Sequence, residues 1–81
     1  MEKNTIVFNA EKLEKKTTKE VLDIVYEALT ERGYNAIDQM VGYILSGDPS
    51  YITSHNNARN IIAKLDRDDV VEEMLRAFIN K

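Results

Sequence analysis

The chain has no cysteine and no tryptophan, one histidine and one proline. Without cysteine there is no disulfide framework and no thiolate metal site. One histidine, His55, cannot build a zinc centre alone. There is no excess of positive charge: 11 Lys and Arg face 14 Asp and Glu, a formal net charge of −3. Broad nucleic-acid binding needs a basic face and is not expected. Long apolar runs are missing too. The longest, Met40 to Leu45, is far short of the ~20 residues that span a bilayer. The first residues show no apolar stretch of the signal-peptide kind. These absences lead us to expect a cytoplasmic protein with no membrane insertion and no cofactor.

What is present is aliphatic. Of 81 residues, 43% are hydrophobic, enough for one domain with a thin margin of stability. A small domain with this content and no covalent staple often adds core by self-association, so a homodimer is expected.

Residues 1–16 differ from the rest and read as a separate N-terminal regulatory tail, followed by a helical dimerisation domain over 17–81. Thr5-Ile6-Val7-Phe8 is β-branched and aromatic, a short strand if it finds a partner and a mobile tail if it does not. Thr17 then caps a helix, with Glu20 placed to complete a capping box. Val21, Leu22, Val25, Ala28 and Leu29 share one face, widened by Ile24 and Tyr26, and Gly33 ends the element. Asn35 caps a second helix. Its stripe of Ile37, Met40, Val41, Ile44 and Leu45 follows the helical period without a miss. Gly42 within it suggests close approach of another backbone, and Gly47 closes it.

Asp48-Pro49 starts a short turn, with Asp as cap and Pro at the first helical position. Thr53 or Ser54 caps a third long segment bearing Ala58, Ile61, Ile62 and Leu65. Asp66 caps the last helix, with Asp68 and Asp69 in the first turn, where the helix dipole favours acids. That helix presents Val70, Val71, Met74, Leu75, Phe78 and Ile79. The reading is all-α: a compact bundle of about four helices plus a helical turn, with a mobile or strand-like tail. Apolar surface is left over on the first and last helices. The expected dimer interface is therefore Val21, Val25, Leu29, Val71, Leu75 and Phe78.

Ser54, His55, Asn56 and Arg59 gather at the start of the third segment. Helix N-terminal amides with a nearby arginine form a candidate anion site, and the same residues also serve as ordinary capping groups. Two other functions compete with this reading. A nucleic-acid adaptor would use His55 to Arg59, Lys64 and Arg67. A small enzyme would use His55 with Asp48 or Asp66, but no nucleophile accompanies them. Gly33, Gly42 and Gly47 are spaced as helix punctuation and not as a phosphate-cradling loop. Tyr34, Tyr43 and Tyr51 lack the basic stripe of a base-stacking platform.

The string Val41-Gly42-Tyr43-Ile44-Leu45-Ser46-Gly47-Asp48-Pro49, with Tyr51-Ile52-Thr53-Ser54-His55-Asn56-Asn57-Ala58-Arg59, then Ile61-Ile62 and Arg67-Asp68, resembles the IreB family of regulatory phosphoproteins of Gram-positive bacteria. The resemblance runs from about Val21 to the C-terminus. It implies a small cytosolic, non-enzymatic protein in the cell-envelope stress response, including resistance to cell-wall-active antibiotics. Its implied partners are a membrane Ser/Thr kinase with extracellular PASTA modules, the opposing phosphatase, an unidentified downstream protein and itself. The family's acceptor motif is threonine, an apolar residue, usually a basic residue, then phenylalanine. Thr5-Ile6-Val7-Phe8 matches it apart from Val7, which makes Thr5 the implied phosphorylation site. The second threonine of some members is Glu2 here. Ala36 and Asp38 replace a usual proline and asparagine. A phosphate on Thr5 pairing with Arg59 would link the tail to the candidate anion site.

Overall fold

The computed structural model describes residues 16–81. The tail expectation, Thr5 included, lies outside the described residues. Among the described residues the chain forms four α-helices and two 3-10 turns and no strand. Helix α1 spans Thr18–Glu31, α2 Ala36–Ser46, α3 Ala58–Ala63 and α4 Arg67–Ile79. The 3-10 turns, Pro49–Tyr51 and His55–Asn57, lie between α2 and α3.

The start of α1 is the predicted capping box. The Thr17 hydroxyl accepts from the Glu20 amide at 3.1 Å, and the Glu20 carboxylate accepts from the Thr17 amide at 2.9 Å. Two otherwise orphaned N–H groups are thereby satisfied. At the other end Gly33 takes φ +85°. The Gly33 and Tyr34 amides donate back to Thr30 and Leu29, the paired bonds of a left-handed helix stop. Asn35 caps α2 through the Asp38 amide. Asp48 caps the Pro49 turn through the Ser50 amide at 3.0 Å.

The core is built around α1, which packs on both α2 and α3. Val21, Val25, Ala28 and Leu29 are buried against Ala36 and Tyr43 of α2, Ile52 of the connecting loop, and Ala58 and Ile62 of α3. Leu29, Ile52 and Ile62 are sealed from solvent, each contributing on the order of 1.5–3 kcal/mol of hydrophobic stabilisation. Ala28, Ala36 and Ala58 are small enough to let the helices approach closely.

The interface assignment on the first helix is corrected here. Val25 and Leu29 are 0% exposed and Val21 is 3% exposed within a single chain. Three helices of modest length need Val21, Val25 and Leu29 to close their core, so these three have no surface to offer a partner. The leftover apolar surface lies on α2 instead. Ile37, Val41 and Leu45, the outer part of the regular stripe, face solvent, while Met40 and Ile44 are half-buried.

The third segment is also shorter than expected. α3 has only six residues, because Asn56 and Asn57 both adopt positive φ, at 54° and 63°. Two successive left-handed residues break any helix begun at Ser54. Ser54 makes no capping bond, and the Thr53 hydroxyl accepts from the His55 amide. Gly42 does admit a close neighbour, but that neighbour is the Tyr51 ring and not a backbone: a methyl at residue 42 would overlap it. Asp66 stands at the N-cap of α4 without a side-chain bond.

Candidate functional site

Within the segment Ser54 to Arg59, His55 and Asn56 meet an exposed acid of α1. Glu31, at the last turn of α1, lies 2.8 Å from Nε2 of His55 and accepts from the Asn56 amide group at 3.4 Å. Arg59 turns the other way and donates from Nε to the Ile52 carbonyl at 2.8 Å. The anion expected here is therefore already present as Glu31, and Arg59 is committed to the backbone. A second negative charge would meet the Glu31 carboxylate, and α3 is too short to supply a strong N-terminal dipole. Of the candidate anion-site residues Ser54, His55, Asn56 and Arg59, the middle two form a structural latch with Glu31. It joins the end of α1 to the left-handed asparagine turn.

Of the cations of the nucleic-acid reading, Arg59 and Arg67 are both held by backbone carbonyls. Arg67 donates from Nη1 to the Ile44 carbonyl at 2.8 Å. Its guanidinium also lies over Gly47, where an added Cβ would come within 2.7 Å of it. The enzyme reading fares no better, since His55 is engaged by Glu31 rather than by Asp48 or Asp66. The Asp48 carboxyl is held below its ordinary pKa by the Ser50 amide bond and then by the Ser50 hydroxyl. That is the signature of a cap and not of a general base.

A further feature is wholly apolar. Between the outer face of α2 and Met74 of α4 lies a cleft of about 300 Å³. Leu22, Met40 and Ile62 form its floor, Ile37, Val41 and Leu45 one wall, and Met74 the other. No polar atom lines it. Beyond Met74 the α4 helix stands away from the bundle and belongs to none of the main helix packings. Val70 is its only buried residue; Val71 is half-buried, Leu75 is 54% exposed and Phe78 is 91% exposed. The signal for this surface was present in the sequence as the regular α2 stripe. Periodicity shows which side chains share a face, not what that face meets.

No helix among the described residues is long and apolar enough to cross a membrane. A family model described as IreB regulatory phosphoprotein matches residues 3–80 of the chain. A protein of Lachnoclostridium phytofermentans named "UPF0297 protein" is 52% identical over 77 residues, covering 95% of this chain and 88% of the relative. A protein of the same name from Acetivibrio thermocellus is 52% identical over 77 residues, covering 95% of this chain and 86% of the relative.

Proposed function

We propose, from the premise that this chain belongs to the IreB regulatory phosphoprotein family, that it is a small non-enzymatic regulator whose state is set by phosphorylation of Thr5. The observation that carries this reading is the family match over residues 3–80, which takes in the Thr5-Ile6-Val7-Phe8 motif as well as the helical body. The kinase in this reading is a membrane Ser/Thr kinase of the PASTA type, opposed by a phosphatase. The setting is the cytoplasmic side of the cell-envelope stress response, with cell-wall antibiotic resistance as its readout. The working unit is a homodimer that acts on a downstream protein.

A phosphate on Thr5 adds about −1.5 to −2 charge to a chain already at −3. The Glu31-occupied latch repels such a group, so the phosphorylated tail acts by what it presents to a partner.

The experiment is intact-mass measurement and peptide mapping after incubation with the host's PASTA-type kinase. One added phosphate on Thr5 supports the reading. Phosphate on Thr17 or Thr18 keeps the switch and moves it to the cap of α1. No incorporation removes the proposed input.

A further inference from the structure

We infer that the groove between the first turn of α1 and the corner where α3 passes into α4 is the seat of this chain's own stretch Glu11-Lys12-Leu13-Glu14-Lys15, the root of the N-terminal tail. This seat needs no phosphate on Thr5 and lies apart from the apolar cleft.

The groove encloses about 510 Å³ and shares no lining residue with the cleft on α2. Half-buried Leu65 and buried Val70 are its apolar part, and the exposed acids Asp66, Asp69 and Glu73 stand around them. By the helical repeat Asp69, Glu73 and Arg76 share the face of α4 opposite Met74 and Phe78. The helix dipole accounts for Asp69 in the first turn. It does not account for Glu73 in the second. Arg76 is already paired with Glu72 at 3.0 Å. Among the described residues no hydrogen bond or ion pair holds the carboxylates of Asp66, Asp69 or Glu73. Against these three stands Lys64, so the groove carries an excess of negative charge.

Position selects the occupant. Thr18 itself lines the groove, so the preceding chain sets out from its rim. Leu13 lies five residues before Thr18 and can reach at most about 17 Å from it. A segment tethered this closely meets its site at an effective concentration on the order of millimolar, so weak contacts are enough to seat it. The chemistry matches as well. Lys12 and Lys15 flank Leu13: the leucine covers Leu65 and Val70, and the two ammonium groups meet Asp69 and Glu73 while their stems lie on apolar surface. A free acidic peptide would be repelled, and a purely apolar one would leave the carboxylates without counter-charge. With its root held here, the Thr5-Ile6-Val7-Phe8 motif begins beyond the groove and stays open to an enzyme.

The test uses the full, unmodified chain. It has no cysteine, so Ala10→Cys takes a single nitroxide. Tethering alone brings this label near the groove. The readout is therefore how the relaxation enhancement at the Leu65, Asp69 and Val70 amides changes on substitution. Glu73 is exposed and lies beyond the first turn of α4, so Glu73→Lys keeps the helical circular dichroism. Leu13→Ser and Glu73→Lys are each expected to lower the enhancement about two- to fivefold, the scale of one exposed contact. Adding Lys12→Glu to Glu73→Lys should raise it again. Enhancement unchanged in both single variants overturns the inference: the root then passes the groove without settling. In an equal mixture of spin-labelled chains and isotope-labelled chains lacking the nitroxide, the groove amides should be unaffected. Enhancement there that Glu73→Lys removes seats another copy's tail and overturns the assignment to the same chain. Either failure leaves the Thr5 reading standing, because no phosphate is involved.

Discussion

Arg59 reaches back seven residues along the chain to donate its Nε proton to the carbonyl of Ile52 at 2.8 Å. Ile52 is sealed in the core. This charged donor thus pins the one loop residue that fills the space between α1 and α3. Arg59→Ala should lower the unfolding free energy by about 1–3 kcal/mol, the range for a bond to a charged group whose acceptor is then left unpaired. Lysine lacks the planar guanidinium fork and should not restore it. Urea unfolding followed by circular dichroism measures both variants. If Arg59→Ala unfolds at the wild-type midpoint, the pin is not a stabilising contact.

The asparagine turn makes a contrast of two substitutions. Asn56 and Asn57 hold positive φ, a region that costs an alanine roughly 1–2 kcal/mol. Asn56→Ala should therefore destabilise by about that amount. Asn56→Gly should be tolerated, losing only the 3.4 Å bond to Glu31. Equal melting temperatures for the two variants would count against a conformational role for this residue.

Gly42 and Tyr51 form a coupled pair. Glycine costs an α-helix about 1 kcal/mol relative to alanine, but a methyl at 42 overlaps the Tyr51 ring. Gly42→Ala should be destabilising, by about 1–3 kcal/mol, while Tyr51 is present. In a Tyr51→Ala background the same change should stabilise by up to about 1 kcal/mol. A double-mutant cycle reads the coupling directly. Additive effects would mean that the ring swings away freely.

Asp48 should titrate below its ordinary value of 3.8, because the Ser50 amide bond favours the carboxylate. A group whose folded pKa is depressed adds stability that is present above the unfolded pKa and lost as pH falls through the folded one. The Asp48 contribution is therefore intact at neutral pH and disappears below about pH 4. Asp48→Asn should flatten that part of the acid-unfolding curve. Carboxyl chemical shifts followed from pH 6 to 2 give the midpoint, and a value at or above 3.8 would contradict the cap.

Most punctuation of the fold was legible because it is local chemistry. Thr17 with Glu20, Asn35, Gly33, Gly47 and Asp48-Pro49 act through neighbours two to five residues away, and each sits at a boundary where it was expected. The break at Asn56-Asn57 was not legible. It lies where His55 and Asn56 meet Glu31, 24 and 25 residues distant, while Ala58, Ile61, Ile62 and Leu65 keep a helical spacing across the segment. The neighbourhood of the candidate anion site was hidden for a similar reason: local composition shows donors, but not the Glu31 carboxylate that folding brings to them. The α2 stripe was read correctly as one face. Which helix surrenders its apolar face to the core depends on how α1 sits between its neighbours, and small Ala36 with Tyr43 fills that contact in place of Ile37 and Val41.

The sparse footing of α4 has a consequence for exchange with solvent. A helix of 13 residues is marginal in water without packing along its length, and beyond Val70 this one has little among the described residues to lean on. Its amide protons should therefore open and close independently of those in α1. Their hydrogen-exchange protection should rise with protein concentration, whereas that of Val25 and Leu29 should not. The end of the chain would then take its order from the population of molecules around it, and dilution alone would loosen it.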